Sequence, residues 1–354
     1  MTAPIADTSH PSASISAYSW RTLLLVAIGA TASLLAIDAA LRIVLGTPPH
    51  LNEVAYAVQQ YRRSDPTILV IGSSHARSFD SVAAELSRRG AAPGVLVEVP
   101  LEGGKLTGYD WVLRHRLQPL IDAKAPDGSK VRPNLKYAVL VTEWWDSCDQ
   151  NEPALNIPGR GWTLNDFLGD VSRHGVTSFN RSYVSNLWAS HFAFLGLVRN
   201  RIGSWIPGAI RQRLYPPARR EAYFEQMASN WRTMVEQGNE CIGSAPQMAA
   251  LDSMLNFFGT RSITTTVLLY PRKPNTLSDK AKATTLPAFA ELMRERAARF
   301  NVQVVDLTST SPLTDDNFTA DFDHVTPQGN QLLSHFLLDG PLAHLGAGPT
   351  ASTE

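Results

Sequence analysis

Two kinds of apolar run pattern this chain, and they call for different surroundings. The first is one long block near the N-terminus: residues 22–37 carry no charge, and extended to Leu45 the block reaches, as a helix, roughly the 30 Å of a bilayer core. Asp38 and Arg42 interrupt its second half. They stand four apart on one helical face, where opposite charges neutralise each other or reach toward the nearer surface. The block predicts a transmembrane anchor over 21–46, although small residues at Ala36, Ala39 and Ala40 also fit a cleaved signal peptide. Residues 1–20 are rich in Ser, Ala, Thr and Pro, too poor in apolar surface to offset chain entropy, and are expected to be disordered, as is the tail 346–354. Pro48 and Pro49 close the apolar block, and 47–65 reads as a linker.

The second kind is short. Runs rich in Val, Ile and Leu at 68–71, 95–99, 138–141, 264–270 and 302–305 predict five strands buried on both faces. Helical patterns fall between them at 81–89, 109–121, 249–258 and 286–300, with another after Pro327. Strands alternating with helices predict an α/β domain over 66–345: a doubly wound, flavodoxin-like parallel five-stranded sheet with helices on both faces. Residues 150–243 separate the third and fourth strands by far more than a βα connection needs, and read as a mainly helical insertion. Its middle interleaves Trp188, Phe192, Phe194 and Trp205 with Arg199, Arg201, Arg211 and Arg213. Such a mixture suits a helical cap with solvated arginines, and also an anionic membrane surface or a partner.

Composition narrows the function classes. With 354 residues, 44% of them hydrophobic, the chain buries a sizeable core without metals or a disulfide framework. Lys+Arg and Asp+Glu both number 32, so no overall field gathers a polyanion, which argues against nucleic acid as a partner. The two cysteines, Cys148 and Cys241, form no zinc or redox spacing; in an exported domain they could pair, or each could be a separate buried thiol.

Candidate chemistry sits at the two ends of the α/β stretch. At 68–75 the apolar run Ile-Leu-Val-Ile leads directly into Gly72, Ser73, Ser74 and His75. In open α/β sheets ligands bind at the carboxyl ends of strands, and a serine on the turn into a helix exposes its hydroxyl. Ser74 is therefore a candidate nucleophile with Ser73 in reserve, while Gly-Ser-Ser at a strand end is also a common helix N-cap. Near the C-terminus, Asp321-Phe-Asp-His324-Val-Thr-Pro-Gln-Gly329 follows the last strand and precedes a helix. A histidine there can take a serine proton, and a carboxylate a few residues upstream can hold its tautomer. His75, His115 and His335 sit in no such pattern and read as structural or exposed.

The paired motifs, in this order, resemble the SGNH or GDSL hydrolase superfamily. Its nucleophile follows a first-strand Gly-Asp-Ser or Gly-Ser-Ser, and its Asp-x-x-His lies near the C-terminus. The resemblance runs from about Pro66 to about Leu345. Within the superfamily it is most similar to the membrane-anchored branch that includes the D-alanyl teichoic acid transfer protein and the alginate acetylation proteins. It implies Ser74 as nucleophile, His324 as general base and Asp321 as orienting acid, with Asp323 the alternative. It further implies an oxyanion hole built from the Ser74 N–H, an N–H of Gly103 or Gly104, and a donor after the third strand. Where the family often has Asn, this chain reads Val141-Thr-Glu-Trp-Trp-Asp146. Either Glu143 is held protonated, or Thr142 supplies the donor, or two backbone donors suffice. Trp144 and Trp145 read as core or rim packing, or as a sugar-stacking pair.

The resemblance implies no metal and no tightly bound cofactor. It implies a single-pass anchor in the cytoplasmic (inner) membrane with the catalytic domain periplasmic or extracellular. The arginines lean the other way, Arg21 preceding the span and Arg42, Arg62 and Arg63 following it. The implied activity is serine-dependent O-acylation, O-acetylation above all, of an exported polysaccharide, with a membrane-bound acyltransferase as acyl-donor partner. Two alternatives keep the fold: a carbohydrate esterase or deacetylase, and a catalytically silent glycan-binding scaffold.

Overall fold

The computed structural model describes residues 20–45, 53–123, 134–148, 164–177, 225–226, 229, 241–319 and 324–346. Five parallel strands form one sheet: β1 (Ile68–Gly72), β2 (Leu96–Pro100), β3 (Tyr137–Thr142), β4 (Thr264–Leu269) and β5 (Gln303–Asp306), in the order β2-β1-β3-β4-β5. This is the expected doubly wound, flavodoxin-like α/β arrangement. The strands form where β-branched and leucine runs can be covered on both faces, and every residue of β1 is buried.

Side chains alternate across the sheet, so each strand feeds two cores. Leu69, Ile71, Leu140, Val267 and Leu269 face one of them, packed with α2 (Glu53–Ser64), α4 (Leu106–Val112), α7 (Ala245–Gly259) and α8 (Leu286–Ala298). Ile68, Val70, Val139, Val141 and Leu268 face the other, packed with Phe79, Val82 and Leu86 of α3 (Phe79–Arg88) and with Leu333, Leu337 and Leu338 of α9 (Pro327–Asp339). Each fully buried side chain of this kind contributes roughly 1.5–3 kcal/mol. Glu85 of α3 locks the second face, accepting hydrogen bonds from Arg89 while Arg89 also pairs with Asp339 of α9.

The helix expected over 109–121 is broken into α4, a π-helical turn at Leu113–Leu117, and α5 (Gln118–Ile121). A second π-helical turn, Ala281–Thr285, precedes α8. Pro119 and Pro287 follow these turns closely. A proline ring and its missing N–H disrupt the i→i−4 ladder, and the backbone widens just ahead of it.

Two segments differ from expectation or lie partly out of view. The stretch read as a linker, 47–65, contains α2, whose Val54, Ala57 and Tyr61 are core residues. Their 54, 57, 61 spacing is a narrow helical stripe, and five charged or amide side chains around it, Glu53, Gln59, Gln60, Arg62 and Arg63, mask the pattern. Of the insertion, α6 (Leu164–His174) is described and is tied to the π turn after α4 by an Arg116–Asp166 ion pair. Its basic and aromatic middle, 188–213, lies outside the described residues. Cys148 and Cys241 are disulfide-bonded, Cα to Cα 4.8 Å, joining the two ends of the insertion.

α1 (Trp20–Leu45) contains the stretch Trp20–Ile37, long and apolar enough to cross a membrane, and that stretch is exposed throughout.

Candidate active site

The site stands at the carboxyl edge of the sheet. β1 ends at Gly72, whose backbone lies so close to β3 that an added Cβ would meet the Val141 carbonyl oxygen at 2.5 Å, so only glycine fits. The chain then turns into a short 3₁₀ helix, Ser74–Ser78. Ser73 caps it: its Oγ accepts from the His75 N–H at 3.4 Å and lies 2.8 Å from His75 Nδ1. The Ser78 hydroxyl donates to the His75 carbonyl at 2.6 Å. This web fixes Ser74, a buried side chain that looks across the edge.

His324 reaches it from the other end of the chain, with Nε2 2.8 Å from Ser74 Oγ. The histidine's backbone is pinned by an antiparallel bridge between Phe318 and Val325 and by the Thr319 N–H donating to the His324 carbonyl at 2.8 Å. Thr326 then caps α9, its Oγ1 accepting from the Gly329 N–H at 3.1 Å. Asp321 and Asp323, the candidate orienting acids, lie outside the described residues.

The β2–α4 loop supplies the neighbouring wall. Leu101 continues the ladder, its N–H donating to the Gly72 carbonyl at 2.8 Å, and a tight turn follows. Gly103 adopts φ +62°, which favours glycine. The Gly104 N–H closes the turn by donating to the Leu101 carbonyl at 2.7 Å.

Lys105, almost fully buried, secures this loop to the turn after β3. Its Nζ donates to the Cys148 carbonyl at 2.6 Å and the Trp145 carbonyl at 3.0 Å, and stands 3.9 Å from the centre of the Trp145 ring. Trp144 is buried in the core and meets Trp145 edge-on, so the pair is packing rather than an open stacking platform.

The buried Tyr109 hydroxyl donates to the Gly104 carbonyl at 3.2 Å. Burial first, and the Asp146 carboxylate second, push its phenol well above the ordinary range, so it stays neutral.

No protein-family model matches this chain, and no curated protein does. Among solved structures it is similar to a crystal structure of a provisionally assigned acylhydrolase from Bacteroides fragilis. The two are 10% identical, the match covers 82% of this chain and 95% of that one, and the TM-score is 0.39. So slight a likeness carries no chemistry from one protein to the other.

At the position after β3, Glu143 is buried and paired with the buried guanidinium of Arg272. The Thr142 hydroxyl is directed at the Glu143 carbonyl, 3.5 Å away. His75, read as structural or exposed, is buried beside the Ser74–His324 pair, its ring stacked on Tyr270 at 4.3 Å and centred 5.5 Å from the His324 ring. Sequence reasoning missed His75, Arg272, Tyr109 and Lys105. The one available signal for Arg272 was a charge placed just past the end of a buried strand. Among the described residues no three His, Cys, Asp or Glu side chains converge as metal ligands would.

Proposed function

We propose that this chain is a serine-dependent acyl-transfer enzyme of the cell envelope. The observation that carries the reading is the 2.8 Å contact between Ser74 Oγ and His324 Nε2 at the carboxyl edge of a doubly wound sheet. In the tautomer with its proton on Nδ1, His324 accepts the Ser74 proton as Oγ attacks the acyl carbonyl carbon. The tetrahedral oxyanion is held by the Ser74 and Gly103 N–H groups. Collapse expels the leaving oxygen, which takes the proton from His324, and leaves an acyl-Ser74 ester. An incoming hydroxyl, deprotonated by His324, then removes the acyl group.

The acceptor in this reading is a hydroxyl of an exported polysaccharide, and the acyl group is acetyl. A membrane-bound acyltransferase delivers the donor, and α1 holds the domain at the inner membrane, facing outward. The apolar, exposed α1 and the Cys148–Cys241 disulfide support an exported, anchored domain. Transfer to water instead of a sugar makes the same site a carbohydrate esterase.

The test uses the purified full chain in detergent, with 4-nitrophenyl acetate and a fluorophosphonate probe. Wild type is expected to turn over the ester and carry the probe on Ser74; Ser74→Ala should lose both while melting at an unchanged temperature. A probe on Ser73, or on neither serine, would refute the assignment. Acetylated oligosaccharide in the products supports transfer; acetate alone supports the esterase.

A further inference from the structure

The contact that aims His324 is altered by the reaction itself. Ser74 Oγ lies 2.8 Å from His324 Nε2, but once Oγ carries the acyl group it has no proton to donate, and the same imidazole must still meet an incoming hydroxyl. A restraint that the reaction leaves untouched lies beside it. The buried His75 ring is centred 5.5 Å from the His324 ring and tilted 33° to it, within the range of packed aromatic pairs. His75 is itself held on several sides. Its ring is stacked on the buried Tyr270 ring at 4.3 Å, and its Nδ1 lies 2.8 Å from Ser73 Oγ. Its N–H donates to that same oxygen at 3.4 Å, and its carbonyl accepts from the Ser78 hydroxyl at 2.6 Å. A buried ring among such neighbours has little rotamer freedom.

Resting on the serine-enzyme reading, we infer that His75 is the positioning residue that keeps His324 aimed during deacylation. In this role it takes no proton; its ring is a wall against which the base rests. In that half-reaction the oxygen of the incoming hydroxyl attacks the acyl carbon and His324 Nε2 takes its proton. As the bond between the acyl carbon and Oγ breaks, the proton passes from Nε2 to Ser74 Oγ. The base must therefore stand within hydrogen-bond reach of two oxygens in turn, and a misplacement of about 1 Å can cost about 100-fold. During acylation the Ser74 hydroxyl supplies part of the aim through its own contact with Nε2, so the wall matters more in the second half-reaction. One side chain thus serves both partners: Ser73 ties it to the turn that carries the nucleophile, and its ring abuts the base.

The full chain in detergent, mixed with 4-nitrophenyl acetate, separates the two steps. Release of nitrophenol in the first turnover reads acylation, and the decay of acetyl-Ser74, followed by mass spectrometry once the ester is consumed, reads deacylation. His75→Ala should slow deacylation about 10- to 100-fold, so that acetyl-Ser74 accumulates, while acylation and fluorophosphonate labelling change far less. His75→Phe, which keeps a flat ring against Tyr270 and His324, should recover most of the lost rate. His75→Asn, which keeps a polar group for Ser73 but no ring, should not. A general loosening of the fold would slow both steps together. Equal slowing of the two steps, unchanged deacylation, or rescue by His75→Asn rather than His75→Phe overturns the inference and leaves the serine reading intact. If His75→Ala melts early, the contrast between His75→Phe and His75→Asn decides. A wild-type chain whose Ser74 takes no fluorophosphonate overturns both the inference and the reading beneath it.

Discussion

Ser73 and Ser74 are adjacent serines with opposite surroundings. Ser73 is engaged by His75, whereas Ser74 looks across the sheet edge to His324. The sequence placed both at the strand end and favoured Ser74 as nucleophile with Ser73 in reserve; that Ser73 is the cap depends on the local turn, which no pattern announces. His324 was legible through its Asp-x-x-His context. His75 and Arg272 were not, since their neighbours in space are distant in sequence: Tyr270 and His324 for His75, Glu143 for Arg272. The carboxylate behind His324 is decided by reach. In a loop, a residue three positions upstream can fold back to the Nδ1 side, while an adjacent one usually points away. Asp321→Asn should therefore lower ester turnover by orders of magnitude, by analogy with a well-studied triad, and Asp323→Asn far less, at equal melting temperatures. Greater damage from Asp323→Asn would hand that residue the role.

Among the elements, all five strands were readable because runs buried on both faces need no partner to be recognised, and their alternation with helices pointed to a parallel sheet. α2 was not readable, because it buries only a narrow stripe and follows a proline-rich break. Edge strand β2 carries a feature no pattern announces. Glu98 is half-buried beside Asp80 of α3, and burial first, then the hydrogen bond to the Asp80 carboxylate, raises its carboxyl from an ordinary 4.5 to about 10. Folded chains thus hold this proton where unfolded chains have lost it, so unfolding releases a proton. Glu98 then contributes stability in full below about 4.5, and that contribution is lost as pH rises toward about 10. Glu98→Gln keeps a donor for Asp80 and removes the titration. Between pH 6 and 9 the wild-type melting temperature should fall more steeply than that of the variant; parallel profiles would show that Glu98 titrates normally.

For the whole molecule, topology is where sequence signals conflicted, and the fold reweighs them. Arg62 and Arg63 lie in the last turn of α2, a helix packed on the sheet, so they belong to the folded domain rather than to a flexible flank of the apolar helix. Orientation follows lysines and arginines in short flanking loops, and these two say little about it. The disulfide supports the proposed outward orientation, because such bonds persist in oxidising compartments and are rare in a reducing cytosol. With 93 residues of separation between Cys148 and Cys241, the bond constrains a long stretch of unfolded chain and should contribute about 2–4 kcal/mol. In an expressing bacterium, alkaline phosphatase fused after Leu345 should be active, and both cysteines should resist maleimide until reduced. Cys148→Ser/Cys241→Ser should lower the melting temperature by several degrees while leaving fluorophosphonate labelling of Ser74 in place, since neither sulfur belongs to the site. An inactive phosphatase together with freely alkylated cysteines would put the domain in the cytosol and remove the envelope from the proposed function.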